Sequence, residues 1–272
     1  MNTDTVSAPD RRDLIRPLRY AWRVPLLFLH AILGVLLCAF VLSLGRNAVM
    51  KNGREPFPHR TIRWWSTTLL RIFGLRSVRV GKPLADPVLF VANHTSWLDI
   101  ELLHSQRAAC FVAKAEIARW PLVGWMAAAG GTIFHRRGSN HSLAAVMQVM
   151  VDRLRGGRSV AVFPEGGTGH NGVLRVFHAR IFQAALDADV PVQPVALRFA
   201  RDGRRVVEAG FREHENFLQN FLRLLGDAPL DVEVHFLEPV PATPDARRRM
   251  AELSRERIAL ALEDKPTHDS RA

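Results

Sequence analysis

Two short segments of the sequence combine residue types that can do acid–base chemistry. The first, Asn93-His94-Thr95-Ser96-Trp97-Leu98-Asp99, directly follows the apolar run Val88–Ala92. On a continuous helix His94 and Asp99 would lie about 140° apart, so they meet only if His94 lies in a loop and the helix begins near Ser96. A carboxylate folded back onto the imidazole fixes its tautomer and stabilises the imidazolium, as a general base requires. The alternative is a helix start in which Ser96 and Asp99 form a capping-box variant and His94 is an ordinary loop residue.

The second segment, Phe163-Pro164-Glu165-Gly166-Gly167-Thr168-Gly169, also ends a β-rich run. Its glycines permit close backbone approach and outward N–H groups, which suit an oxyanion or a phosphate. The segment is not a P-loop, because the Lys-Ser/Thr ending is missing. A flexible turn is the alternative interpretation.

The elements that must position these segments alternate from about residue 85 onward. The β-rich runs are Val88–Ala92, Cys110–Ala113, Thr132–Phe134, Ser159–Phe163, Val190–Phe199 and Val232–Phe236. The clearest helical pattern is His141–Arg155, which Gly156-Gly157 ends. Strands interleaved with helices predict an α/β fold whose sheet is covered on its faces. Ligands of such sheets gather at the carboxyl ends of the strands, where both polar segments lie.

The basic composition favours an anionic partner, and its distribution indicates a membrane. The chain carries 37 Lys and Arg against 26 Asp and Glu, a net charge of +11, and residues 1–63 hold over half of that excess. Within them, residues 24–45 contain no charged side chain, and a helix of that length reaches about 33 Å, enough for a hydrocarbon core of about 30 Å. A secretory signal and a buried core helix are the alternatives. Because basic residues flank both ends, orientation stays open, as does a re-entrant or interfacial helix.

Residues 61–76 form a second, amphipathic pattern. Ile62, Trp65, Leu69, Ile72 and Phe73 recur at helical spacing beside three arginines, which is typical of an interfacial helix with Trp at the headgroup level. An ordinary helix packed on the domain is the alternative. The two cysteines, Cys38 and Cys110, indicate no disulfide framework, and no Cys/His cluster has the spacing of a zinc site.

Four blocks, in order over about residues 88–200, resemble the glycerolipid acyltransferase family, specifically the 1-acyl-glycerol-3-phosphate acyltransferases. They are the His-x4-Asp block at 93–99, the Gly-x5-Arg block at 131–137, Phe-Pro-Glu-Gly at 163–166 and Val-Pro-x-x-Pro-Val at 190–195. The resemblance implies a mixed, largely parallel sheet flanked by helices, the glycerol-phosphate acyltransferase fold, with an N-terminal membrane helix. The expected organisation is a basic region 1–60, an interfacial helix and linker 61–84, an acyltransferase domain 85–262 and a polar tail 263–272.

The resemblance also assigns site residues. His94 would deprotonate a glycerol hydroxyl that attacks an acyl thioester directly, and Asp99 would orient His94. Arg137 and Glu165 match positions that engage the acceptor and its phosphate. The further substrate-binding candidates are Gly131, Arg136, Gly166 and Thr168. The sequence departs from the family pattern at Gly167, where Thr is common, and at His135-Arg136, where an apolar-acidic pair is usual; Arg136 is therefore a rival to Arg137.

The expected protein is an acyltransferase of the inner (cytoplasmic) membrane, with its catalytic domain facing the cytoplasm. Its expected acceptor is 1-acyl-glycerol-3-phosphate, its donor acyl-CoA or acyl-acyl-carrier protein, and it should need neither a cofactor nor a metal. The alternative acceptor is another lyso-lipid, such as a lyso-ornithine lipid. Outside this class, the alternative is a basic membrane-surface binding protein without activity. Nucleic acid is not an expected partner, because no recognition motif is present.

Overall fold

Short apolar runs form the strands of a single sheet. In a computed structural model, the described residues are 13–43, 56–85, 87–136, 140–169, 172–201, 204–206, 209–240 and 247–263. The strands are β1 (Leu75–Val80), β2 (Leu89–Ala92), β3 (Cys110–Lys114), β4 (Ile133–His135), β5 (Val160–Val162), β6 (Val192–Arg201), β7 (Arg204–Arg205) and β8 (Leu230–Phe236). Their order across the sheet is β1-β8-β6-β2-β5-β3-β4, with β7 paired to β6.

Helices connect and cover these strands. They are α1 (Arg16–Ser43), α2 (Phe57–Ile72), α3 (Leu98–Gln106), α4 (Val123–Ala129), α5 (Asn140–Arg155), α6 (Gln183–Ala188), α7 (Phe217–Gly226) and α8 (Arg247–Leu262). Two 3₁₀ turns, Ala115–Arg119 and Ala179–Phe182, precede α4 and α6.

Strand direction brings the two polar segments together. Strands β6, β2, β5, β3 and β4 are parallel to one another. Strands β8 and β7 are antiparallel to β6, and β1 is parallel to β8. The sheet is therefore mixed and largely parallel, as the resemblance implies. Because β2 and β5 are adjacent, the loops that follow their carboxyl ends meet at one edge of the sheet.

The core is divided between the two faces of the sheet. Alternate residues of β2 show this: Phe90 and Ala92 pack in one cluster with α2, α3 and α7, and Leu89 and Val91 pack in another with α5, α6 and α8. In contrast, β8 buries only its alternate positions from Leu230 to Phe236. These patterns follow from the two-residue period of a strand, which directs successive side chains to opposite faces.

The six predicted strands are confirmed, each to within two residues at either end, and α5 matches the predicted helix. Strand β1 is not among the predicted strands: its residues 75 and 76 fall at the end of the predicted amphipathic helix, and its residues 77–80 fall in the expected linker. This segment reads Leu-Arg-Ser-Val-Arg-Val, and only Leu75 is buried. It is an edge strand whose pairing with β8, rather than its own hydrophobicity, recruits it into the sheet.

Helix α1 is the one helix, within the described ranges, that is long and apolar enough to cross a membrane. Its 28 residues span about 42 Å. Only 11% of its most apolar window is buried, and Leu26, Phe28, Leu29 and Leu36 are all exposed. This exposure disfavours the buried-core alternative and favours a lipid-facing helix. The helix begins at Arg16, before the predicted apolar segment, and residues 44 and 45 of that segment lie outside the described residues.

Helix α2 corrects the expected position and packing of the amphipathic segment. It spans Phe57–Ile72 rather than residues 61–76, and Leu69, Leu70 and Ile72 are buried in the core. The second half of α2 is therefore packed on the domain, as the alternative interpretation expects, because its apolar side chains are buried against the sheet and α3. Towards its start Trp64 is 44% exposed, and the Trp65 ring stacks on His30 of α1 at a centroid distance of 3.8 Å.

The first half of α1 is fixed by the carboxyl end of α7. Arg16, Arg19, Tyr20 and Arg23 donate side-chain hydrogen bonds to backbone carbonyls of residues 222–227. Arg23 is 1% exposed and donates to Leu225 O and to Asp227 O, both at 2.9 Å. The last carbonyls of a helix have no partner within it and carry a partial negative charge, so cationic donors are well matched to them.

Loss of this cap should loosen α1 from the domain. Arg23→Met keeps much of the side-chain volume but leaves two carbonyl acceptors without their donor, which should cost about 1–3 kcal/mol of unfolding free energy. The measurement is denaturant unfolding of detergent-solubilised protein. The matched control is Arg76→Met, whose guanidinium pairs with Asp231 at the surface and should contribute about 0–1 kcal/mol. Equal losses in both variants would contradict the capping role.

Candidate active site

The catalytic turn, residues 93–99, begins where β2 ends, and Asn93 fixes its start. Asn93 Nδ2 donates to Leu197 O at 3.0 Å, and its Oδ1 accepts from Leu197 N at 2.8 Å. This buried amide therefore continues the β2–β6 ladder with a side chain where the backbone of β2 turns away. Strand β6 runs on past β2 and provides a rigid wall against which the turn folds.

His94 and Asp99 meet across this turn as predicted. His94 Nδ1 lies 3.0 Å from Asp99 Oδ2, and the same oxygen accepts the backbone N–H groups of Thr95 (2.6 Å) and Ser96 (2.8 Å). Asp99 is completely buried. The acceptor carboxylate assigns the proton to Nδ1, which leaves Nε2 as the basic nitrogen. Helix α3 has Trp97 as its N-cap and no side-chain cap hydrogen bond, so the bonds to Thr95 N and Ser96 N close the turn before the helix.

Phe163 defines the plane of the imidazole. Its ring stacks on His94 with centroids 4.0 Å apart and planes 11° from parallel. Phe111 stacks behind it at 5.8 Å. The Phe163 ring therefore covers one face of the imidazole, and the side chain of His94 is only 14% exposed. Sequence reasoning included Phe163 in a motif but gave it no role.

Glu165 ties the two motif segments together through the backbone. Its Oε1 accepts from His94 N at 2.7 Å and its Oε2 from Arg175 N at 2.9 Å. Gly169 N adds a bond to His94 O at 2.6 Å. Glu165 is 2% exposed, and burial raises the pKa of its carboxyl, while the two backbone N–H groups partly oppose that rise. In this structure Glu165 positions the backbone of His94, and its role in binding the acceptor stays a prediction.

Trp97 links the catalytic turn to α7. Its Nε1 donates to Asn220 Oδ1 at 3.1 Å, and its ring stacks on Phe221 at 5.5 Å. Asn220 is completely buried and donates onward to Gly210 O and Glu215 Oε2. Because α1 contacts the carboxyl end of α7, one helix contacts both the catalytic turn and the apolar helix. No pattern in the sequence marked Asn220, whose partner is 123 residues away.

The other predicted residues are not all brought to His94. Gly166 and Thr168 lie in the loop after β5, beside Gly169. Gly131, with φ +88°, lies before the amino end of β4, whereas His94 follows the carboxyl end of β2. A Cβ at Gly131 would lie 2.5 Å from Arg158 Nη2. The structure therefore shows a packing role for Gly131, and its role in binding the acceptor stays a prediction.

Of the two candidate phosphate ligands, Arg136 and Arg137, the structure describes only Arg136. Arg136 is exposed and follows β4, which is three strands from β2, or about 14 Å along the edge. Arg137 lies outside the described residues, and its role stays a prediction. Sequence reasoning missed Arg205 and Arg212, which lie beyond the four motif blocks and line a cavity beside Thr95.

Known proteins are similar to this chain in sequence and in fold. The family model described as Acyltransferase matches residues 70–198. A lyso-ornithine lipid O-acyltransferase of Pseudomonas aeruginosa is 38% identical over 207 residues, which cover 76% of this chain and 80% of the relative. A 1-acyl-sn-glycerol-3-phosphate acyltransferase of Neisseria gonorrhoeae is 35% identical over 140 residues, 50% of this chain and 55% of that protein. The crystal structure of the 1-acyl-sn-glycerophosphate acyltransferase PlsC of Thermotoga maritima matches with a TM-score of 0.66 at 17% identity, covering 96% of this chain and 100% of that chain.

The raised pKa of Glu165 predicts a pH-dependent stability. A carboxyl with a folded-state pKa above its ordinary value of 4.5 favours the protonated form on folding, so stability is lost as the pH rises through the raised pKa. Glu165→Gln cannot ionise. The unfolding free energy of the wild type relative to this variant should therefore fall between pH 4.5 and neutrality, as measured by denaturant unfolding across that range.

Glu252→Gln is the matched control, because Glu252 is 68% exposed and its partner Arg249 stays charged across this range, so its replacement should leave the pH profile unchanged. A constant difference between wild type and Glu165→Gln across the range would contradict the effect of burial on Glu165.

Proposed function

The chain belongs to the acyltransferase family, as an acyltransferase of the lysophospholipid acyltransferase type, and we propose that its acceptor is a lyso-ornithine lipid. The observation that carries the reaction class is the buried Asp99–His94 pair at the carboxyl edge of the sheet. The motif resemblance is confirmed by the family match and the two curated relatives.

The reaction we infer needs only one base and one thioester. His94 Nε2 accepts the proton of the acceptor hydroxyl while the hydroxyl oxygen attacks the carbonyl carbon of the thioester. Collapse of the tetrahedral intermediate forms the ester bond, breaks the carbon–sulfur bond and expels the thiolate, which takes the proton from the imidazolium. Asp99 stabilises that imidazolium through Nδ1–H, and no acyl-enzyme is formed.

The choice of acceptor is supported by how far the similarity extends. The relative named for lyso-ornithine lipid matches three quarters of this chain, whereas the relative named for 1-acyl-glycerol-3-phosphate matches half. We infer that the motif blocks carry the reaction common to the family. Similarity outside these blocks is therefore informative about the acceptor, in which members of the family differ. This favours the alternative acceptor over 1-acyl-glycerol-3-phosphate, which is the second candidate.

The donor and the location belong to the same proposal. We infer an acyl thioester of coenzyme A or acyl carrier protein, with the catalytic domain on the cytoplasmic side of the membrane, where such water-soluble donors are found. The exposed apolar surface of α1 supports attachment to the bilayer, and the net charge of +11 suits an anionic lipid surface.

Replacement of the base should abolish transfer. His94→Ala should lower kcat by roughly 10²–10⁴-fold, the usual contribution of a general base, and Asp99→Asn should cost less, because the imidazole remains. Single-turnover transfer of a labelled acyl group is the measurement, with unfolding curves to show that each variant is folded. A folded His94→Ala protein with near wild-type turnover would contradict the mechanism.

The acceptor is tested with purified wild-type protein in mixed micelles. We expect kcat/KM for a lyso-ornithine lipid to exceed that for 1-acyl-glycerol-3-phosphate by at least roughly tenfold, equivalent to about 1.4 kcal/mol. Each acceptor is assayed with acyl-CoA and with acyl-acyl-carrier protein. Faster formation of phosphatidic acid with both donors would overturn the proposed acceptor and establish the second candidate.

A further inference from the structure

A cavity of about 200 Å³ lies beside the catalytic turn and has no role in the mechanism above. Thr95, the neighbour of the base, forms part of its wall. The other lining residues are Gly169, Gly172, Leu197, Phe199, Arg205, Val206, Gly210, Phe211 and Arg212. Strand β6, which supplies Leu197 and Phe199, is adjacent to β2. The cavity is therefore within one strand spacing, about 5 Å, of the strand that ends at the base.

The chemistry of this lining suits an anion attached to an aliphatic group. The described lining residues include two arginines and no carboxylate, and their remaining side chains are mainly apolar. Arg205 Nη2 donates to Gly172 O at 2.8 Å, which restrains its guanidinium. Thr95 Oγ1 is buried and has no hydrogen-bond partner among the residues that the structure describes, so the wall of the cavity holds one unsatisfied hydroxyl.

The outer wall of the cavity is held in place by buried ion pairs. Arg223 Nη2 and Asn220 Nδ2 both donate to Gly210 O. Arg223 also contacts both carboxylate oxygens of Glu215, at 2.7 and 2.9 Å, and the guanidinium lowers the pKa of that carboxyl to about 2. Glu215 in turn accepts from Arg212 N at 2.9 Å. The backbone that presents Arg212 is therefore fixed before any ligand binds, which reduces the entropic cost of binding.

We propose that this cavity binds the anionic group of the acceptor headgroup, with Arg212 and Arg205 as its ligands. On the proposed function, on which this assignment rests, the anion is the carboxylate of the ornithine. Both arginines lie beyond residue 198, where the family match ends. A contact there can distinguish one acceptor from another without altering the acid–base chemistry that the family shares.

The test combines a protein variant with a modified acceptor. Arg212 is exposed, so Arg212→Ala should fold normally. Wild-type protein should show a roughly tenfold higher KM for a lyso-ornithine lipid whose ornithine carboxyl is a methyl ester than for the free acid. Arg212→Ala should show that higher KM with the free acid and no further rise with the ester, while kcat changes little. Arg212→Lys should recover part of the loss, because a point charge cannot reproduce the guanidinium fork.

Arg249→Ala is the matched control, because this arginine is 65% exposed on α8 and does not line the cavity. The proposal is overturned if Arg212→Ala leaves the KM of the free acid unchanged, or if the variant and the ester act additively. If the wild type acylates only 1-acyl-glycerol-3-phosphate, the proposed acceptor fails. The cavity is then judged with that phosphate: a roughly tenfold rise of its KM in Arg212→Ala keeps the anion site, and no rise removes it.

Discussion

A single buried carboxylate oxygen organises the catalytic turn. Asp99 Oδ2 accepts the Nδ1–H of His94 and two backbone N–H groups, and a fully buried carboxylate is tolerated only with such partners. The turn must therefore close over Asp99 in one conformation, and that conformation aims the imidazole. Asn93, Phe163 and Glu165 hold the same turn from β6 and from the loop after β5. The order of strands in the sheet is what brings these groups within reach.

The same turn is connected to the apolar helix by direct contacts. Trp97 packs on α7 and donates to Asn220, and the carboxyl end of α7 is capped by arginines and a tyrosine from α1. The ten-residue helix α7 thus sets the distance between the exposed apolar surface of α1 and His94. An enzyme whose acceptor lies in a bilayer must keep that distance constant, because a general base works only within hydrogen-bond reach of its substrate.

Local patterns predicted much of the fold and the base, and long-range contacts explain the rest. Buried strands such as β2 are visible in the sequence as apolar runs. The spacing of His94 and Asp99 allows them to meet only where a strand is followed by a turn and then a helix. Strand β1 carries no such signal, because it acquires its place by pairing with β8. The apolar stripe on α2 could face either lipid or a protein core, so only the packing in the structure shows that its second half faces the core. Gly131 and Arg136 share a motif but lie at opposite ends of β4, because that strand runs between them.

If Arg205 and Arg212 bind the headgroup as proposed, acceptor recognition and catalysis occupy different parts of the sequence for a physical reason. Acid–base chemistry on a thioester is the same for every acceptor hydroxyl, so the turn at His94 needs no change when the headgroup does. Headgroup charge must be met several ångströms away, by side chains whose own position is secured independently. The ion pair between Glu215 and Arg223 holds the loop Gly210–Glu215 without a contact to His94, whereas Asn220 joins the same loop to Trp97 of the turn. Substitutions there can alter which lipid is bound while the Asp99–His94 pair stays intact.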